Sequence, residues 1–132
     1  MLIDQFSPHR LTLLEMPACD ARYILAARSW CLLRKSAIDP HCRLLTYLHS
    51  ERRVVRFSLL METVTQIWPE PFGLHRPCCA TPSVDEMVMV QALRWASARN
   101  RPQFERLLYE MLNDDARDLL YAQAVALDER SR

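Results

Sequence analysis

Apolar residues recur at intervals of three and four along most of the chain, which is the spacing of one face of an α-helix. The first such stretch begins at Asp20, whose carboxylate can cap free backbone N–H groups. It must end before Asp39-Pro40, because proline cannot continue a helix, and the same dipeptide predicts the start of a second helix. Ser50 predicts the start of a third helix, which reaches about Trp68.

The third predicted helix is apolar on almost every side. Its apolar residues are Val54, Val55, Phe57, Leu59, Leu60, Met61, Val64 and Ile67. A helix with this pattern is normally central and buried, so we expect it to be the most buried element. Arg52, Arg53 and Arg56 lie in its first turns, and we expect that end to reach solvent.

The helical pattern is interrupted between residues 68 and 82, where four of the eight prolines and the only glycine, Gly73, occur. Long irregular connections in compact domains are often functional. Phe72 and Leu74 supply apolar side chains to this segment. We therefore expect residues 69–82 to form an ordered loop that packs on the domain and shelters its two cysteines.

Three further helices are predicted after this loop. Ser83 and Glu86 form a capping box, in which each side chain can satisfy a free backbone N–H group of the other. Asn100 before Arg101-Pro102 starts the next helix, and Asn113 starts the last. The sequence thus predicts an all-α fold over residues 1–132. We expect a single compact domain of five or six helices, with an irregular N-terminal arm at 1–19 and a structured Pro-rich central loop at 69–82.

Composition agrees with a helical fold and narrows the classes of function. One glycine is too few for the tight turns of a sheet protein. The formal net charge is +1, so no global field attracts nucleic acid or a membrane. The charge is uneven, however. Residues 20–60 contain eight basic and three acidic side chains, whereas residues 61–132 contain eight basic and eleven acidic ones.

Several classes of protein are disfavoured by what the sequence lacks. No apolar run approaches the ~18 to 20 residues that span a bilayer, and the first residues do not resemble a signal peptide. The five cysteines are an odd number, which favours a cytoplasmic protein with reduced thiols. The sequence has no glycine-rich phosphate loop, GxSxG or HExxH motif, so no enzyme class is predicted.

Histidines and cysteines form the best candidate for a chemical site. His75, Cys78 and Cys79 lie within five residues of the loop, and His41 and Cys42 begin the second helix. Imidazole and thiolate are preferred zinc ligands, but structural zinc sites usually pair their ligands at short spacing twice over. We therefore favour free thiols and a buried histidine without a cofactor. A zinc site, or a reactive Cys79 close to a helix start, is the alternative.

Arg52, Arg53 and Arg56 form a second candidate site, because helical spacing places them on one side of the third helix. They could bind an acidic protein partner or the phosphate groups of a nucleic acid. The helix that carries them is otherwise apolar and the net charge is near neutral, so weak nucleic-acid binding is the less favoured reading. A docking site for an acidic protein partner is the preferred one.

The function that these observations favour is a non-enzymatic helical interaction or regulatory protein that binds a protein partner or a second copy of itself. One alternative is a small zinc- or thiol-dependent protein centred on the His75–Cys79 loop. The other is a weak nucleic-acid binder that uses the Arg-rich helix end.

Overall fold

The structure, a computed structural model, describes residues 12–128, and residues 1–11 and 129–132 lie outside the described part. Most of the predicted N-terminal arm therefore falls outside it. Within the described residues there are six α-helices and no strand, which confirms the predicted helical bundle. The helices are α1 (Ala18–Lys35), α2 (His41–Leu48), α3 (Glu51–Ile67), α4 (Val84–Ser97), α5 (Arg101–Leu108) and α6 (Asp114–Asp128). A short 3-10 helix, Leu13–Glu15, precedes them.

Four helices begin at the residues that the sequence predicts. The side chain of Ser50 accepts a hydrogen bond from the backbone N–H group of Arg53 at the start of α3. Capping side chains also start α4, α5 and α6, and these are Ser83, Asn100 and Asn113. These caps satisfy backbone donors that the first turn of a helix leaves without a partner.

The predicted starts of the first two helices were wrong by one or two residues. α1 begins at Ala18, directly after Pro17, so its first two residues had been assigned to the arm. Asp20 is not its cap, because the Asp20 carboxylate is nearly buried and pairs with Arg94 of α4. α2 begins at His41, and the Asp39 carboxylate accepts a hydrogen bond from the His41 backbone N–H group at 3.0 Å.

Residues other than glycine make the left-handed turns that end three helices. Ala37, His49 and Arg99 have φ angles of 59°, 65° and 57°, a region that favours glycine. The side chain of Arg99 donates hydrogen bonds to the carbonyl groups of Ala96 and Ser97 and so helps to stabilise the turn at the end of α4. The single glycine of the sequence is thus compatible with six helices.

α3 is amphipathic, which corrects the expectation that it is buried on nearly every side. Phe57 and Leu60 are fully buried, but Val55 is 63% exposed and Leu59 is 53% exposed. α3 packs against α1, α2 and α6, and α4 packs against α1, α5 and α6. The core therefore lies on one side of α3, and the opposite side faces solvent. No helix among the described residues is long and apolar enough to cross a membrane.

Candidate functional site

The connection between α3 and α4 is anchored to the rest of the protein by one buried ion pair. Arg28 of α1 and Glu86 of α4 have fully buried side chains. The Arg28 Nε and Nη2 atoms each donate to a different Glu86 carboxylate oxygen at 2.8 Å. Such a bidentate pair fixes both the distance and the orientation of the two groups. α1 and α4 are thereby joined directly beneath the loop.

The same two side chains also hold the backbone of the loop. Arg28 donates to the carbonyl oxygens of Cys79 at 2.8 Å and Thr81 at 3.1 Å. Glu86 accepts hydrogen bonds from the backbone N–H groups of His75 at 3.0 Å and Ser83 at 2.8 Å. With the two bonds from Arg28, all four acceptor positions of the carboxylate are occupied. Burial of both charges is therefore compensated by hydrogen bonds.

Three further contacts order the loop around this pair. The Gly73 backbone N–H group donates to Asp85 at 2.7 Å, and a Cβ atom on Gly73 would lie 3.2 Å from the same oxygen. Phe72 packs edge-on against Trp68, with ring centroids 4.8 Å apart. The Leu13 backbone N–H group donates to the carbonyl oxygen of Ala80 at 2.7 Å, which joins the start of the described chain to the loop.

His75 and Cys79 are brought together by this loop. The His75 Nδ1 atom lies 3.5 Å from the Cys79 sulfur and 2.8 Å from the Thr81 carbonyl oxygen. A nitrogen at hydrogen-bond distance from a carbonyl oxygen must carry the proton, so Nδ1 is a donor here. It therefore cannot accept the Cys79 proton in this arrangement. His75 can instead present an N–H group to the sulfur.

The surroundings of Cys79 favour its thiolate form. The hydrogen bond with the Thr81 backbone lowers the pKa of Cys79 most, followed by the bond with the Thr81 side chain, and burial opposes them. The charges of His75 and Arg28 lower the pKa further. The Thr81 carbonyl oxygen already accepts from both of these residues, which uses its two lone pairs.

The other predicted thiol and metal residues do not join this pair. Cys78 is exposed, although the loop was expected to shelter it, and Cys42 is exposed as well. His41, expected to be buried, has a side chain that is more than a third exposed and pairs with Glu51 at 2.7 Å. Across residues 12–128, no group of three or more His, Cys, Asp or Glu side chains is placed to hold a metal ion.

The arginines at the start of α3 have three different environments. Arg52 is exposed and Arg53 is half-buried. The Arg56 Nη1 atom donates to the Ala126 carbonyl oxygen of α6 at 2.6 Å. The three side chains therefore do not present one continuous basic patch. Arg52 instead lies at one end of the exposed side of α3, which carries Val55 and Leu59.

A pocket of about 210 Å³ between α1, α4 and α6 was not predicted from the sequence. Leu93, Ala124 and Leu127 supply its apolar wall, and the ion pair between Asp20 and Arg94 lies beside it. Its residues come from helices far apart in the sequence. No local motif could therefore have indicated it.

No protein-family model, curated protein or solved structure matches this chain.

Proposed function

We propose that the protein is a non-enzymatic, cytoplasmic regulatory protein that binds a protein partner through the exposed side of α3. The observation that carries this proposal is the pair Val55 and Leu59, whose side chains are mostly in water although they lie in a helix that packs against three others. They are one helical turn apart and therefore adjacent on the surface. Arg52 lies one turn before Val55 and supplies a positive charge at one end of the surface.

The chemistry of this surface suits protein binding better than phosphate binding. Apolar contacts with a charged rim are typical of protein interfaces. Phosphate recognition would need several free cations side by side, and Arg56 is engaged with the carbonyl group of Ala126. The cytoplasmic location is supported by five free cysteines, all of which lie in the described part of the chain.

A photo-reactive amino acid at position 55 tests the proposal in the cells that produce the protein. We expect irradiation to give a discrete covalent adduct, because a bound partner would lie within contact distance of Val55. The same amino acid at position 109 is the matched control, since Tyr109 is equally exposed but lies after α5. The Arg52→Glu substitution should reduce the adduct from position 55. An equal yield from positions 55 and 109, or none from either, would contradict the proposal.

A second candidate function is supported by the environment of Cys79. Its thiolate is favoured by His75, Thr81 and Arg28, so it could react with electrophiles or disulfides in a thiol-dependent role. Alkylation with iodoacetamide at a series of pH values, followed by mass spectrometry, tests this. We expect Cys79 to reach half of its maximal rate at a lower pH than Cys78 and Cys42.

The His75→Gln substitution is the control for this second candidate. It removes the imidazole, which lowers the pKa of Cys79, but leaves the anchoring of the loop by Arg28 in place, so the alkylation profile of Cys79 should move to higher pH. A Cys79 that reacts more slowly than Cys78 at every pH would exclude a reactive thiol. Stoichiometric zinc in protein purified without chelator would instead favour the zinc-dependent alternative.

A further inference from the structure

The exposed side of α3 carries four side chains in a symmetric order. Arg52, Val55, Leu59 and Glu62 follow one another at intervals of three, four and three residues, so they form one stripe along the helix. Val55 and Leu59 are mostly exposed, Arg52 is exposed, and the Glu62 side chain is about half exposed. The two charges are ten residues apart, which is about 15 Å along a helix. They have opposite signs and lie at equal distances from the midpoint between the two apolar residues.

This order is self-complementary in only one orientation of two helices. A two-fold axis through the midpoint exchanges Val55 with Leu59 and Arg52 with Glu62. An antiparallel second copy would therefore place Val55 against the partner's Leu59 and Arg52 against the partner's Glu62. Parallel copies would place arginine against arginine and glutamate against glutamate, and like charges in contact are unfavourable.

We infer that the occupant of the exposed side of α3 is a second copy of this chain, docked antiparallel about a two-fold axis. This inference rests on the proposed function, because it names the partner of the same surface. Such an interface uses the same patch on both chains, as cyclic dimers do. Each dimer contains two Val55–Leu59 contacts and two Arg52–Glu62 pairs.

The intramolecular partner of Glu62 does not prevent this pairing. Arg34 of α1 donates to Glu62 at 3.0 Å, and both side chains are about half exposed. A carboxylate can accept from two guanidinium groups. Glu105 already does so in this protein, since it accepts from Arg101 and Arg117. One helical face is a small interface, so the dimer should be transient and dependent on concentration.

Sedimentation of the purified protein, with no other molecule added, tests the inference. The average mass should rise from the 15.5 kDa of the monomer toward twice that value as concentration increases from about 10 µM to about 1 mM. Arg52→Glu alone and Glu62→Arg alone should each weaken self-association by roughly tenfold or more, because each makes both charged contacts repulsive.

Mixing these two variants distinguishes the antiparallel dimer from non-specific association. Each charged contact between an Arg52→Glu chain and a Glu62→Arg chain joins opposite charges, so the mixture should dimerise more tightly than either variant alone. The control is a mixture of Arg106→Glu and Glu110→Arg chains, whose altered positions are exposed but lie outside α3. That mixture should dimerise no better than either control variant alone.

Two results would overturn the inference, and they differ from failure of the proposed function. A wild-type chain that stays monomeric at 1 mM, or a mixture that gains nothing over its components, excludes the antiparallel dimer. A position-55 adduct with a different protein would then leave the proposed function standing with another partner. If position 55 gave no adduct and the chain stayed monomeric, both the antiparallel dimer and the proposed function would be excluded.

Discussion

Two arginines tie irregular connections to the helices of this protein, and they do so in different ways. Arg28 anchors the long loop before α4, and Arg117 anchors the short turn between α5 and α6. Both donate to two backbone carbonyl groups of the connection and to at least one carboxylate. The carbonyl groups of Tyr109 and Leu112 are the acceptors in the second case. Backbone groups outside regular structure need such partners when they are shielded from water.

The two clusters differ in burial and in the sequence distance that they bridge. Arg28 and Glu86 are 0% exposed and 58 residues apart. Arg117 is 7% exposed, but its carboxylate partners Glu105 and Asp114 are 29% and 88% exposed and lie 12 and three residues away. If one member of the buried pair is removed, no water is present to bind the charge that is left. If an exposed carboxylate is removed, water can bind the arginine in its place. The same kind of side chain should therefore contribute very differently to stability at the two places.

The largest effect is expected from Glu86→Gln. This change leaves the Arg28 charge buried beside a neutral group, and breaking a buried ion pair in this way typically costs about 3–5 kcal/mol. For a chain of this size the melting temperature should fall by roughly 10–20 °C, as measured by circular dichroism. Asp128→Asn is the control, because it breaks the half-exposed pair with Arg99 and should change little. Equal melting of both variants would show that the buried pair has no special role.

A smaller loss is expected from Arg117→Met. The substitution removes donors from the Tyr109 and Leu112 carbonyl groups, but both carboxylates of the cluster can be solvated. We expect the free energy of unfolding in urea to fall by about 1–3 kcal/mol. Arg106→Met, at an exposed position of α5, should stay within about 0.5 kcal/mol of wild type. A loss from Arg117→Met as large as that from Glu86→Gln would remove the distinction between the two clusters.

Acid should weaken the Arg117 cluster through Glu105. Burial raises the pKa of Glu105, but the hydrogen bonds from Arg101 and Arg117 outweigh it, so the pKa lies below its ordinary value. A carboxyl with a depressed pKa stabilises the folded state fully above its unfolded pKa of about 4.3 and loses this contribution as pH falls through the folded pKa.

We therefore expect the stability difference between wild type and Glu105→Gln to be constant above about pH 5 and to shrink below about pH 4. Urea unfolding at several pH values measures this difference. In an Arg117→Met background the pH-dependent part should be smaller, because one of the two hydrogen bonds that lower the pKa of Glu105 is gone. A difference in stability that is independent of pH would contradict a lowered pKa of Glu105.

Local signals predicted the fold well because helix starts are decided by neighbouring residues. Ser50, Ser83, Asn100 and Asn113 each cap a backbone N–H group within three residues, and the sequence shows both partners at once. Asp20 failed as a cap for the opposite reason. Its carboxylate pairs with Arg94, which lies 74 residues away and cannot be connected to it by spacing alone.

The candidate site was only partly predictable for the same physical reason. His75 and Cys79 lie four residues apart in one loop, so their proximity could be expected from the sequence. Arg28 contributed only to the count of eight basic side chains between residues 20 and 60, although it follows Ala27 in an apolar stretch of α1. Its partner Glu86 was recognised only as a capping residue. A single sequence gives no signal for a pair of charges that tertiary packing brings together.

The smallest effect is expected from Asp114→Asn. This substitution tests whether exposure to solvent limits the contribution of an ion pair to the free energy of unfolding. Asp114 pairs with Arg117 but is largely in water, so the contact itself should be worth only a few tenths of a kcal/mol. The substitution also removes a negative charge from the first turn of α6, where the helix dipole favours it. Asp115→Asn removes a charge from the same turn, and Asp115 has no ion pair within residues 12–128. The difference between the two variants in urea unfolding therefore isolates the contact with Arg117. A difference above about 1 kcal/mol would mean that the exposed carboxylate matters as much as the carbonyl groups that Arg117 holds.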